Sequence, residues 1–303
     1  MSEQIAKANG IEIAYQAFGS AEDPTLLLVM GLGSQLIHWP EEFCELLAGR
    51  GFHVVRFDNR DVGHSTKLDD LPVPDLAAVA AGDVSDAGYT LDDMADDAVG
   101  LLDYLGIDAA HVAGASMGGM IGQTMAIRHP QRVLSLCSIM STTGDRTVGQ
   151  ALPEAMAVLL SPAPSDRDGY IDFHVKAFKA IGSPGFPLDE DFLRWRGAAT
   201  YDRSYYPDGF KRQLAAIIAS GDRTEALAQV SVPTVVVHGR EDPLITVSGG
   251  EATARAIPGA ELVVIPGMGH DLPQGVWQQV IEAITANTDR ANTAVADATS
   301  PGL

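Results

Sequence analysis

Short apolar runs alternate along the chain with longer stretches of helical period. The runs are residues 25–30 (TLLLVM), 52–57 (FHVVRF), 111–113 (HVA), 133–140 (VLSLCSIM), 234–237 (TVVV) and 261–265 (ELVVI). They are continuous rather than alternating, the pattern of parallel strands covered on both faces. Between them lie amphipathic stretches. Thr90 and Asp93 are spaced as a capping box, and Met94, Val99, Leu101, Leu102 and Leu105 follow as an apolar stripe. Val276, Val280, Ile281 and Ile284 share one helical face near the end. Strand and helix in alternation predict an α/β fold, a mostly parallel sheet flanked by helices. Residues 11–18 (IEIAYQAF) alternate instead and predict an antiparallel edge strand.

The alternation stops between residues 142 and 227, a span too long for an ordinary connection. Pro162, Pro164, Pro184 and Pro187 interrupt it, and ten of the 19 aromatics fall between Tyr170 and Phe210. Both facts predict a helical cap over 142–227, inserted into a core of 1–141 and 228–288. Most of these aromatics are expected in the cap's own core. A few, Trp195 among them, are expected to face a ligand. Residues 289–303 have no apolar period and predict a flexible tail.

Composition narrows the functions rather than the fold. An apolar fraction of 46% fits a globular chain. Forty acidic against 20 basic residues, a net charge of −20, argue against nucleic-acid binding and against a polybasic membrane anchor. No apolar run is long enough to span a bilayer. The first residues lack the basic and apolar regions of a secretory signal, so a cytoplasmic location is expected. Cys44 and Cys137 lie in apolar contexts and predict two buried, reduced thiols; no metal site is indicated. Thirteen aspartates fall between Asp58 and Asp108 against only Arg60 and Lys67, over half of the whole charge surplus. Most read as a solvated helix face and loop.

The chemistry starts from Gly114-Ala-Ser-Met-Gly118. This G-x-S-x-G follows a strand and opens a helix, the context in which a serine is presented on a sharp elbow. Glycines at both ends suit so tight a bend, and the helix N-terminus aims N–H groups at developing negative charge. Ser116 needs a base. Of the eight histidines, His270 fits best: it sits in Pro266-Gly-Met-Gly-His270, a glycine-rich loop directly after a strand. His111, His129 and His53 read as structural, and His38 as a candidate pocket residue. Asp242, in His238-Gly-Arg-Glu-Asp-Pro243, is the carboxylate expected to orient the base, with Glu241 as its competitor. The Met30-Gly-Leu-Gly-Ser34 loop offers a backbone donor at Leu32. With the N–H of Met117 it would make an oxyanion hole, and Gly31 would border the substrate.

The order Ser116, Asp242, His270 resembles the α/β-hydrolase fold superfamily over about residues 10 to 288. Asp58-Asn-Arg-Asp-Val-Gly-His-Ser65 resembles its D-x-R-G-x-G-x-S loop, with Asp61 in place of glycine. Met30-Gly31 resembles its His-Gly oxyanion segment, with methionine in place of histidine. Within the superfamily the chain is similar to aclacinomycin-methylesterase-like and other small carboxylesterases. The resemblance implies a cofactor-free serine hydrolase that cleaves a small carboxylic ester through an acyl-enzyme, with an apolar substrate under the cap. Perhydrolases and carbon–carbon bond hydrolases use the same three residues, and a non-catalytic ligand receptor on this scaffold is the alternative of a different class.

Overall fold

Eight strands make one sheet in the computed structural model, which describes residues 2–299. They are β1 (Gln4–Ala8), β2 (Ile11–Phe18), β3 (Thr25–Val29), β4 (His53–Phe57), β5 (Ala110–Ala115), β6 (Val133–Ile139), β7 (Thr234–Gly239) and β8 (Glu261–Ile265). Their order is β1-β2-β4-β3-β5-β6-β7-β8. Strands β3 to β8 pair in parallel, while β2 is antiparallel to both of its neighbours. Every residue of β3, β4, β5 and β7 is buried, which is why these runs read as continuously apolar. The edge assignment of residues 11–18 is corrected: β1 lies outside β2 and takes the edge. In β1 only Ala6 and Ala8 are buried, so its alternation carried little apolar signal.

The helices are α1 (Glu41–Ala48), α2 (Leu76–Ala80), α3 (Leu91–Leu105), α4 (Met117–Arg128), α5 (Pro153–Leu159), α6 (Arg167–Ile181), α7 (Glu190–Ser204), α8 (Pro207–Ser220), α9 (Thr224–Leu227), α10 (Ser248–Ala256) and α11 (Trp277–Thr299). The capping box of α3 is present: the Asp93 carboxylate accepts from Thr90 N–H at 2.8 Å. One apolar cluster packs α3 and α4 onto one face of the sheet, and a second packs α1 and α11 onto the other. Residues 289–299, expected as part of an aperiodic tail, instead continue α11, and Ala291 is buried. Residues 300–303 of that expected tail lie outside the described residues. Between β6 and β7 the chain leaves the sheet and forms α5 to α9, an inserted helical region.

The sheet order places the site. From β3 the chain moves outward to β4, and β5 then returns to the other side of β3. The loops leaving the carboxyl ends of β3 and β5 therefore part company. In open α/β sheets that divergence opens the crevice where ligands bind.

Candidate active site

Ser116 sits between β5 and α4 with φ +56° and ψ −119°. Its N–H donates to Ile139 O at 2.8 Å, and its own carbonyl accepts from Gly119 N–H at 2.9 Å. The elbow leaves no room beside it. A Cβ on Gly114 would stand 2.0 Å from Gly118 O, and one on Gly118 would stand 2.0 Å from Val29 O. The Met117 N–H belongs to the first turn of α4, where donors have no partner within the helix.

The structure brings Ser116, His270 and Asp242 together. His270 Nε2 is 3.0 Å from Ser116 Oγ, and His270 Nδ1 is 2.7 Å from Asp242 Oδ2. The other Asp242 oxygen accepts from the N–H groups of Leu244 and Ile245, both at 2.9 Å. Burial by itself would raise the Asp242 pKa. The charge of His270 and its hydrogen bond, with the His238 imidazole 3.5 Å away, outweigh it and hold the carboxyl well below the usual range. An ionised carboxylate only accepts, so the His270 proton sits on Nδ1. The Nε2 lone pair then faces the serine hydroxyl. Glu241, the competing carboxylate, is used elsewhere: it accepts from Gly267 N–H at 2.6 Å and steadies the loop that carries His270.

The loop after β3 closes against the serine. A Cβ on Gly31 would lie 3.2 Å from Ser116 Cβ and 3.7 Å from its Oγ, so the backbone of Gly31 borders the serine directly. Two side chains that the sequence did not single out fix this loop. Asn59 Nδ2 donates to Met30 O at 2.9 Å, and Gln213 Oε1 accepts from Gly33 N–H at 2.8 Å. The first lies inside the recognisable Asp58–Ser65 loop, so a signal existed. The second comes from α8, 180 positions away, and nothing local announces it. His270 is likewise held from the cap, its N–H donating to Ile181 O at the end of α6 at 2.7 Å. His238, buried 3.5 Å from Asp242, also gave no sequence signal: its Nε2 donates to Ile245 O at 2.7 Å.

Ser116 and His270 open onto a cavity of about 820 Å³ roofed by the inserted helices. Gly31, Leu32 and His38 line it. Trp195 does not: it is 58% exposed and stacks on Phe192 on the outer side. On α7 the buried stripe is Leu193, Arg196, Gly197 and Thr200, which turns position 195 to the opposite face. The other aromatics also depart from expectation. Seven of the ten between Tyr170 and Phe210 line the cavity: Tyr170, Phe173, Phe178, Phe192, Tyr205, Tyr206 and Phe210. They are half-buried because one side of each faces the void.

The remaining candidates are structural. His111 bonds Ser135 at 2.8 Å, His53 contacts Thr25 at 3.2 Å, and His129 meets Asp96 at 2.6 Å. Cys44 and Cys137 are buried and unbridged, and burial pushes the Cys44 thiol up to about 12. Among the described residues no His, Cys, Asp and Glu side chains are grouped as metal ligands. No helix among them is long and apolar enough to cross a membrane.

A family model described as the alpha/beta hydrolase fold matches residues 24–273. The chain is 28% identical to rhodomycin D methylesterase of Streptomyces sp. (strain C5), over 96% of this chain and 99% of that protein. It is 25% identical to the bifunctional esterase/perhydrolase of Acinetobacter calcoaceticus, over 94% and 96%. Among solved structures, a hydrolase from Pseudomonas aeruginosa PA01 superposes with a TM-score of 0.68 at 26% identity, covering 94% of this chain and 98% of the other. The chain belongs to the alpha/beta hydrolase fold family and is related to its methylesterase- and carboxylesterase-type enzymes.

Proposed function

We propose that this protein is a serine esterase that hydrolyses an apolar carboxylic ester through an acyl-enzyme. The observation that carries the reading is the continuous contact Ser116 Oγ–His270 Nε2 and His270 Nδ1–Asp242 at the floor of the capped cavity. Ser116 Oγ attacks the ester carbonyl carbon while its proton moves to His270 Nε2. The carbonyl oxygen, now an oxyanion, accepts from the backbone N–H groups of Leu32 and Met117. Asp242 fixes the imidazole and stabilises the imidazolium. His270 then gives its proton to the departing alkoxide, leaving the acyl group on Ser116. Water attacks that ester with His270 again taking the proton, and the acid leaves as Ser116 recovers its hydrogen.

The cavity volume and its aromatic lining suit a bulky apolar group on one side of the ester. The likeness to an esterase/perhydrolase favours one companion activity, in which hydrogen peroxide replaces water in the second half-reaction and releases a peracid.

Ser116→Ala is expected to lower kcat on p-nitrophenyl esters by a factor on the order of 10⁴ or more, with the melting temperature little changed. A fluorophosphonate probe should add once, at Ser116. Full activity of the alanine variant would overturn the reading. Labelling at Ser116 without repeated turnover would favour a ligand receptor.

A further inference from the structure

Arg196 is a buried charge with no counter-charge in contact. It is 9% exposed and lines the cavity from α7. Its Nε donates to His174 Nε2 at 3.2 Å, whereas Nη2 is buried and has no hydrogen-bond partner among the described residues. None of the ion pairs among the described residues includes it. The rings of Phe178 and Phe192 lie 4.1 and 5.4 Å from its Cζ. Cation–π attraction of this kind offsets part of the charge but uses none of the N–H donors. An unpaired buried guanidinium is strongly unfavourable, so its retention asks for a partner that comes and goes.

The neighbouring cations do not share this condition. Arg223 is also buried at the cavity wall, but it donates to Gln123 Oε1, Gly221 O and Thr142 O. Lys211 pairs with Asp208 at 2.8 Å. The two histidines beside Arg196 carry no charge: burial and then the Arg196 charge push His174 down to about 3, and burial pushes His38 well below the ordinary value. Asp271, the residue after His270, faces the same cavity and feels the Arg196 charge, but its Oδ1 accepts from Ser183 Oγ. Helix α7 is also fastened to the loop beside Ser116, since Gln35 Nε2 donates to Thr200 O at 2.9 Å. Arg196 thus borders the chamber that Ser116 and His270 open onto while its Nη2, buried in the wall, has no partner among the described residues.

We propose that Arg196 binds an anionic oxygen of the substrate, a carboxylate or an ionised phenol, so that the preferred esters carry an acidic group on an apolar frame apart from the scissile carbonyl. Guanidinium donors form charge-assisted hydrogen bonds with such oxygens, and a low-dielectric wall strengthens them. The identity of the scissile bond rests on the serine-esterase reading above; the anion site does not.

The test is calorimetric titration of the Ser116→Ala protein with the monomethyl ester of 1,4-phenylenediacetic acid and with the matching monoamide. The acid is expected to bind at least ten-fold more tightly. Arg196→Gln in the same background should bring the two affinities within about two-fold, and Arg196→Lys, which keeps the charge but not the fork, should fall between. A methyl hydroxyphenylacetate titrated on both sides of its phenol pKa separates phenolate from carboxylate recognition. Equal affinity for acid and amide in the parent protein would sink the proposal whether or not either variant folds. So would an equal loss for both ligands in Arg196→Gln, which marks a structural role. Failure of the esterase reading looks different: the wild-type protein turns over neither ester, while the acid–amide preference in binding persists.

Discussion

Ser116 holds a backbone setting, φ +56° and ψ −119°, that side-chain-bearing residues adopt only under constraint. Strain of this kind costs about 1–3 kcal/mol. Ser116→Gly should therefore abolish ester turnover yet raise the melting temperature, corresponding to about 1 kcal/mol after the entropy of an added glycine is subtracted. Scanning calorimetry checks it, and a lowered melting point would show that the elbow is unstrained. His111 gives a pH signature. Burial holds it at about 4, against an ordinary value near 6.5. Its folded-state pKa is depressed, so between those values the unfolded chain binds the extra proton. Stability is then lost as pH falls from 6.5 toward 4. Urea unfolding should show a steeper loss over that window in wild type than in His111→Gln. The residues that meet at the site were readable in sequence because each follows a strand and two lie in turn-rich loops. The outward place of Trp195 was not readable, because aromatic content says nothing about helix phase. Arg196 and Gln213 gave no signal because their partners lie on other elements.

Asp61 shows how two elements are joined. It stands where the resembled loop has glycine and adopts φ +68°, the left-handed backbone that glycine takes most easily. Its carboxylate meets Arg212 of α8 at 2.9 Å and Tyr89 Oη at 2.8 Å, both with almost no exposure, and accepts from the half-buried Leu68 N–H at 2.8 Å. Removing one member of a buried pair strands the other. Asp61→Gly is expected to cost about 3 kcal/mol despite relieving the backbone. Arg212→Met added to it should cost less than the sum of the two single changes. Denaturant melts of the four proteins check this; strict additivity would mean the pair is uncoupled. The parallel strands and α3 were legible because burial on both faces, or on one helical face, writes a period into the sequence. The last turns of α11 were not. Ala, Asn and Thr carry no stripe, and the helix persists there because the anchored segment Val280–Ile284 has already nucleated it and alanine propagates it.

At the scale of the whole molecule, the acidic excess divides into two populations. Asp58, Asp61 and Asp97 are buried against Arg203, Arg212 and Arg60, at 2.6 to 2.9 Å. Asp69, Asp70, Asp75, Asp83 and Asp86 are exposed, as the sequence reading expected of the group. Salt screens the exposed repulsion far more than the buried pairs. With a net charge of −20, the melting temperature at pH 7 should rise between 20 and 500 mM NaCl. A fall would mean that surface attraction outweighs repulsion. The buried pairs also make the cap's attachment uneven. Arg203, Arg212 and Gln213 bind α7 and α8 to the core, whereas α5 has Ala155 alone fully buried and leaves Leu152, just before it, and Met156 half in water. Yet Ala155, Met156, Val158 and Leu159 all border the chamber. Tolerance to change is therefore distributed unequally around one wall. A lineage or a designer can revise Pro153–Leu159 to admit a different ester at little risk to folding, while residues 203–213 hold the chain to its present form.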